Sequence, residues 1–349
     1  MIKIYTLEQY DLWITVVKKF KNCDIYYLPE YVAAYKKNGD GDPILIHYEY
    51  NDVEVINVVI KRDITSIERF SETFEKNLYF DFITPYGYGG ILFKKAYNKK
   101  QRIEFIKNYV QFFKQRNIVS EFIRFNPLLE NYKKLEGIID VTSIGPTVYI
   151  NTENIDRAWN NYSPKNRNII RKSIKNGIKV YWGVNRELLQ EFIRLYFETM
   201  DRDHASEYYY FSNDYFESLL EDLKYKILFF YAEYEGKIIS ISTILLHNHY
   251  MHYHLSASDF NYRHFAPTNL ILSEVVKFAS MNDYKLLHLG GGLGGNIDNL
   301  YKFKKSFNTI NDMKYKIGKI IFNKELYDDL SNDIDLKTDQ SFFPSYRKG

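Results

Sequence analysis

The segment from Leu287 to Phe307 reads LHLGGGLGGNIDNLYKFKKSF: an apolar run, five glycines, then three lysines beside two phenylalanines. Bare backbone after a strand lets a ligand approach the main chain closely. The N-terminus of a following helix offers N–H groups to an anion or a developing oxyanion. A lysine fixed beside such a loop neutralises the charge that collects on a carbonyl oxygen under nucleophilic attack. Gly290, Gly291 and Gly292 are therefore candidate platform residues, with Asn296 and Asp298 as possible helix caps. The plain alternative is a mobile connector. A dinucleotide fingerprint is excluded, because no βαβ unit with an acidic residue further on surrounds the glycines.

Helix geometry singles out one lysine. At about 100° per residue, Leu300, Phe303 and Phe307 form a narrow apolar stripe. Lys304 falls about 40° from Leu300 and flanks that stripe. Lys302 points the opposite way, and Lys305 lies well off the stripe. A lysine at such an edge either snorkels to solvent or serves a cleft.

Other residues offer weaker chemistry. The stretch SPKNRNIIRKSIKNG holds Lys165, Arg167, Arg171, Lys172 and Lys175 with no acid. It is a solvated face, or a track for the phosphates of a donor. His247, His249, His252 and His254 cluster around one hairpin turn, and His252 and His254 share a strand face. No third ligand or carboxylate pattern accompanies them, so no metal site is expected. Cys23 has no activating partner nearby in sequence, which argues against a nucleophile.

The elements that must position these residues are legible. ILIHYEYNDVEVINVVI (Ile44 to Ile60) predicts a hairpin turning at Asn51-Asp52. Ile227 to Ser258 predicts a three-stranded meander with turns at Glu235-Gly236 and near Asn248. Without gaps, YEYNDVEVINVVI aligns with AEYEGKIISISTI, placing Glu49 on Glu233 and Tyr50 on Tyr234. Such self-similarity suggests two copies of one α/β unit. Ser163 reads as a helix N-cap, Pro164 as its first-turn residue and Gly177 as its stop. A second helix starts at Pro267-Thr268 and buries Ile271, Leu272, Val275 and Phe278. YKLLHL is the strand entering the glycines, and KYKIGKIIF is a last pairing strand. The expected fold is mixed α/β: residues 1–150 one domain, 151–330 a second, 331–349 a tail. No heptad run predicts a coiled-coil arm.

Bulk properties bound the function. The 349 residues suit two domains, and a 45% hydrophobic content fills sizeable cores. The net charge of +3 implies no strong pull on nucleic acid. The abundance of Tyr and Phe reflects either background composition or an aromatic binding surface. One cysteine excludes a disulfide framework and suits the cytosol. The N-terminus does not read as a signal peptide. Ile238 to Ser258 lacks Asp, Glu, Lys and Arg, but its Ser, Thr, Asn and His residues predict strands rather than a membrane span.

HLGGG followed by LYKFKKSF resembles the closing signature of the Fem family, within the GNAT acyltransferase superfamily. SPKNRNIIRKSIKNGIKV, ETMDRDH with YFSNDYF, YHLSASD and PYGYGG (Pro85 to Gly90) resemble its other segments. The resemblance implies two GNAT-like domains. It also implies transfer of an aminoacyl group from aminoacyl-tRNA to an amine of a peptidoglycan precursor. It puts the functional Phe-Lys pair on Phe303 and Lys304, the lysine stabilising a tetrahedral oxyanion. It puts a substrate-binding arginine on Arg202, a site tyrosine on Tyr253, and a first-domain lysine on Lys36 or its neighbour Lys37. Many Fem proteins carry a helical arm that this sequence lacks.

An acyl-CoA enzyme of the GNAT superfamily is expected to carry a Q/R-x-x-G-x-G/A loop. The matching place, RHFAPTN, keeps Arg263 but neither glycine, and Pro267 removes a donor N–H. The leading expectation is a cytoplasmic Fem-like N-acyltransferase without a tightly bound cofactor. Its donor would be aminoacyl-tRNA or acyl-CoA, held by Arg167, Arg171 and Arg263, and its partner an amine-bearing envelope precursor. The alternatives are an acyl-CoA-dependent N-acetyltransferase acting on an envelope or capsule sugar or peptide, and a non-catalytic binding domain.

Overall fold

A computed structural model describes residues 1–332 and 342–348. In chain order the strands are β1 (Ile2–Tyr5), β2 (Asp42–Tyr50), β3 (Val53–Asp63), β4 (Phe80–Ile83), β5 (Leu92–Phe93), β6 (Ile118–Arg124), β7 (Asp140–Asn151), β8 (Lys179–Gly183), β9 (Ile227–Tyr234), β10 (Lys237–His247), β11 (Tyr250–Ser258), β12 (Leu286–Gly290) and β13 (Met313–Ile321). The helices are α1 (Tyr10–Val17), α2 (Pro29–Lys37), α3 (Glu68–Ser71), α4 (Lys99–Lys114), α5 (Ile155–Asn161), α6 (Pro164–Lys175), α7 (Arg186–Arg202), α8 (Asn213–Glu221), α9 (Pro267–Met281), α10 (Asn299–Lys305) and α11 (Lys324–Ser331). None of the described helices is long and apolar enough to cross a membrane.

The chain forms two compact units, one of Met1–Ser143 with Tyr315–Gly349, the other of Ile144–Lys314. This differs from a boundary near Asn151 and from a second domain reaching residue 330. The crossing falls inside β7. After Lys314 the chain returns to the first unit, where β13 pairs antiparallel with β6 from Ile317↔Arg124 to Ile321↔Ser120. β7 instead supplies the second unit, pairing with β12 from Leu286↔Asn151 to Gly290↔Val148.

Each unit repeats one strand pattern. In the first, β1, β2, β3 and β4 are successively antiparallel, β4 and β6 are parallel, and β13 closes antiparallel. In the second, β8 to β11 are successively antiparallel, β11 and β12 are parallel, and β7 closes antiparallel. The aligned hairpins occupy equivalent places. Asn51 and Asp52 turn the first with φ of 46° and 62°, the left-handed pair that matches strand twist. The closing strands are exchanged in sequence order, which local pattern cannot reveal.

Burial explains the layers. From Ile239 to Leu246, β10 is buried throughout, as a strand covered on both faces must be. Ile239, Ile244 and Leu246 join a core with α5, α6 and α9, while α7 contacts β10 and β11. The Ser163 hydroxyl accepts the Asn166 N–H and caps α6, as its sequence predicts. In the first unit Phe105, Tyr109 and Phe113 of α4 fill the core. Burial pushes the Glu121 carboxyl up to about 7, although Asn57 and Tyr109 donate to it.

The segment Phe342–Lys348 is not a loose tail; the rest of the expected tail, 333–341 and 349, lies outside the described residues. Tyr346 is fully buried, its hydroxyl 2.6 Å from that of Ser120 and donating to Asp81 at 3.2 Å. Arg347 also bonds Asp81, a buried carboxylate that Arg62 holds from the other side at 2.8 Å. Tyr346→Ala is expected to destabilise the protein by about 3–5 kcal/mol, the range for deleting a fully buried ring. Denaturant unfolding measures it, and a loss below about 1 kcal/mol would show the segment to be dispensable.

Candidate active site

The site is built where two parallel strands part. β11 and β12 pair at Tyr250↔Leu286, Met251↔Leu287 and His252↔His288. β11 then runs on to Ser258, while β12 ends in the glycines. Gly290 has φ 78° and pairs with Val148 of β7 after a register shift. The loop lies tightly against β7: a Cβ on Gly291 would sit 2.7 Å from the Pro146 carbonyl oxygen. Gly295 has φ 83°, and its Cβ would meet Ile144 at 2.5 Å. A side chain at Gly292 would collide with Asn296 and Asp298. These contacts account for the glycines without invoking a mobile connector.

Asp298 rather than Asn296 caps α10. Its carboxylate accepts the N–H of Tyr301 and that of Leu293, each at 2.8 Å. Those two bonds hold its carboxyl below the usual carboxylate range. The chain's own anion therefore occupies the helix start that the sequence suggested for a ligand.

Lys304 is buried, with 9% of its surface exposed, and its ammonium donates to the Gly291 carbonyl at 2.7 Å. This corrects the expected wheel. Leu300 is 40% exposed, so no stripe runs through it. Tyr301 and Lys304 face inward, followed by the buried Phe307, and Phe303 is half-buried. Two bonds to Asp312, from the Tyr301 hydroxyl at 2.7 Å and the Lys305 ammonium at 2.9 Å, fix that rotation. Lys302 is exposed, as its place on the wheel predicts. Burial lowers the Lys304 pKa to about 8, while the Asp298 charge acts in the opposite direction.

Tyr253 is the first β11 residue beyond the last pair with β12. It packs on the same core as Phe303. Burial pushes its phenol up to about 12, against the Ser256 and Ser242 hydroxyls. The structure thus holds Lys304 on Gly291, with Phe303 beside it in α10, and places Tyr253 on β11 directly after the last pair with β12. His254 lies 3.0 Å from the Tyr215 hydroxyl and is held neutral, its pKa lowered to about 3 by burial and by His252. Among the described residues no group of three or more His, Cys, Asp or Glu could hold a metal.

The remaining candidates fall elsewhere. Arg202 ends α7 and donates to the Ser258 carbonyl at 3.1 Å and to Asp203 at 2.9 Å. Ser258 is five residues beyond Tyr253, roughly 16 Å of extended strand. Arg202 and Arg263 do gather about one ring, their guanidinium carbons 5.8 Å and 3.9 Å from the centroid of Phe260. Sequence reasoning missed Phe260; its signal was the exposed aromatic directly after the meander. Arg263 precedes Ala266, which adopts φ 51° before Pro267 at the start of α9. Arg167 caps α5, donating to the Asn160 and Tyr162 carbonyls. Arg171 is exposed over Trp159. Lys36 belongs to the first unit and pairs with Asp42 at 3.4 Å and Glu8 at 3.7 Å.

Comparison with known proteins agrees with this fold. Residues 164–305 match the family described as acetyltransferase (GNAT) domain. No curated protein sequence matches the chain. Among solved structures, FemX has a TM-score of 0.66 at 16% identity, covering 94% of this chain and 98% of that one. A conserved protein of unknown function from Bacteroides thetaiotaomicron scores 0.56 at 14% identity, covering 92% and 100%. L-PGS from Bacillus licheniformis scores 0.54 at 12% identity, covering 88% and 90%. The mixed α/β, Fem-type fold expected from the resemblance is the fold found.

Lys304 gives the site a pH signature. Below pH 8 both the folded and the unfolded chain carry its charge. Between about 8 and the ordinary 10.5, the unfolded chain holds a proton that the folded one has lost. Stability therefore rises with pH across that window. Relative to Lys304→Met, the wild type should gain about 2 kcal/mol between pH 7 and 9.5. Denaturant unfolding at both values measures it, and a flat difference would mean that the ammonium is solvated.

Proposed function

We propose that this protein of Fem-type GNAT fold is a cytoplasmic N-acyltransferase that carries an aminoacyl or acyl group to an amine of a cell-envelope precursor. One observation carries the reading: a buried lysine ammonium held on a loop carbonyl where two parallel strands part. In the reaction the acceptor nitrogen forms the new C–N bond and the ester or thioester bond breaks. The carbonyl oxygen bears the negative charge in between, and the departing group takes up the proton released by the nitrogen. Lys304 stabilises that oxygen at low dielectric, where a fixed cation acts most strongly. Tyr253 and Phe303 line the acyl position, and the Gly290–Gly292 backbone shapes it. Arg202 and Arg263 about Phe260 form a grip for phosphates of a bound reactant. Lys36 is the acceptor contact that the Fem resemblance suggests.

The donor is aminoacyl-tRNA in the leading reading. The start of α9 supports it, because Pro267 offers no N–H and no glycine lets a pyrophosphate approach. Acetyl-CoA is the second reading, favoured by the description of the matching GNAT family. Incubation with charged tRNA or acetyl-CoA, each with candidate amine acceptors, separates the two.

In an assay with the correct donor, Lys304→Met should lower turnover about a hundredfold or more, the scale for one lost electrostatic donor. Lys302→Met should be nearly silent, because that side chain is exposed. Near-normal turnover of both variants would remove Lys304 from the chemistry.

A further inference from the structure

We propose that one end of the second unit docks on an anionic bilayer surface through α6 and the ends of α9 and β8. The inference stands apart from the acyltransfer reading, since the docking residues lie outside the Lys304 site.

The basic side chains of α6 fall on one face. At 100° per residue, Lys165, Arg171, Lys172 and Lys175 span about 120° of the wheel. All four are exposed, and the helix contains no acid. Among the described residues none of the four takes part in an ion pair. Arg167, the remaining cation of the helix, turns away to cap α5.

Three large apolar side chains emerge beside that face. Ile174 is 53% exposed, Trp182 56% and Met281 84%. Their elements are packed together, α9 contacting both α6 and β8. A hydrogen bond of 2.8 Å from Asn269 to Asn166 pins the starts of α9 and α6 together. α6 then leads through Gly177 and the buried Ile178 into β8. Trp182 of β8 packs edge-on against Phe278, one turn before Met281 at the end of α9, with ring centroids 5.1 Å apart. Lys277 in that turn is satisfied by Glu274 at 2.6 Å, and Asp283 is the acid on the turn beyond.

Cations around an apolar centre that includes an indole match the interface of an acidic membrane. The ammonium groups reach the headgroups, and the apolar tips enter the acyl boundary. RNA would use the cations and the Trp182 indole equally well, but Ile174 and Met281 offer no plane for a base to stack on, whereas a bilayer takes all three apolar side chains.

Flotation of the full chain with vesicles tests the proposal. Vesicles of equal parts phosphatidylglycerol and phosphatidylcholine should bind the protein, and pure phosphatidylcholine should not. The emission of Trp182 should shift to the blue on binding, and Trp182→Phe should abolish the shift. The double variants Lys172→Glu with Lys175→Glu, and Ile174→Ser with Trp182→Ser, should each lower partition at least tenfold. The unfolding midpoint of the charge-reversal variant should stay at the wild-type value, because Lys172 and Lys175 are exposed. Trp182→Ser gives up the ring contact with Phe278, so that variant is compared at a temperature where its unfolding curve shows it folded. Absent binding to anionic vesicles, or partition indifferent to charge reversal, would overturn the proposal. Displacement of the vesicles by uncharged tRNA, with the same dependence on Lys172 and Lys175, would overturn it in favour of an RNA surface.

Discussion

A lysine ammonium removed from water has to be held, and here the Gly291 carbonyl holds it. Most of the surrounding design follows from that bond. The carbonyl is available only because β12 leaves its parallel partner after His288. The departing backbone can turn only because the loop packs against β7 without side chains. Asp298 ties the two halves together, bonding the loop at Leu293 and the helix at Tyr301. Its charge also offsets part of the burial cost of Lys304. The desolvated cation is thus supported by a carbonyl dipole and a nearby carboxylate, with no direct ion pair among the described residues to quench it. That state suits transient stabilisation of an oxyanion, because a bonded carboxylate partner would compete for the same charge.

The scaffold shows the same economy in both halves. Each unit uses one strand pattern, and each obtains its closing strand from across the chain. The first unit needs β13 as well as the Tyr346–Arg347 anchor on Asp81 and Ser120. The described residues after Lys314 therefore serve the first unit's stability, whereas the candidate chemistry lies before them.

Much of this was legible because it is local. Asn51-Asp52, Ser163 with Pro164, Gly177 and Pro267 each impose a backbone conformation on their own neighbourhood, and each element falls where those residues put it. The resemblance carried by HLGGG and LYKFKKSF also pointed to Phe303 and Lys304, which lie together at the strand parting. What escaped was tertiary. The exchange of β7 and β13 depends on pairing between distant segments. The rotation of α10 is set by Asp312, seven residues past the helix end, which put Lys304 inward and Leu300 outward. Arg167 looked like one more cation on a basic face, and only the carbonyls at the end of α5 show its structural use.

The central claim is that Lys304 is a desolvated cation poised near neutrality. Direct titration of its side-chain nitrogen by heteronuclear NMR, with Lys304→Met to assign the signal, tests it most closely. An apparent pKa near 8 is the result this account predicts. A value at or above about 10, the ordinary lysine range, would contradict it. It would return Lys304 to solvent and leave the glycine loop without its chemical purpose.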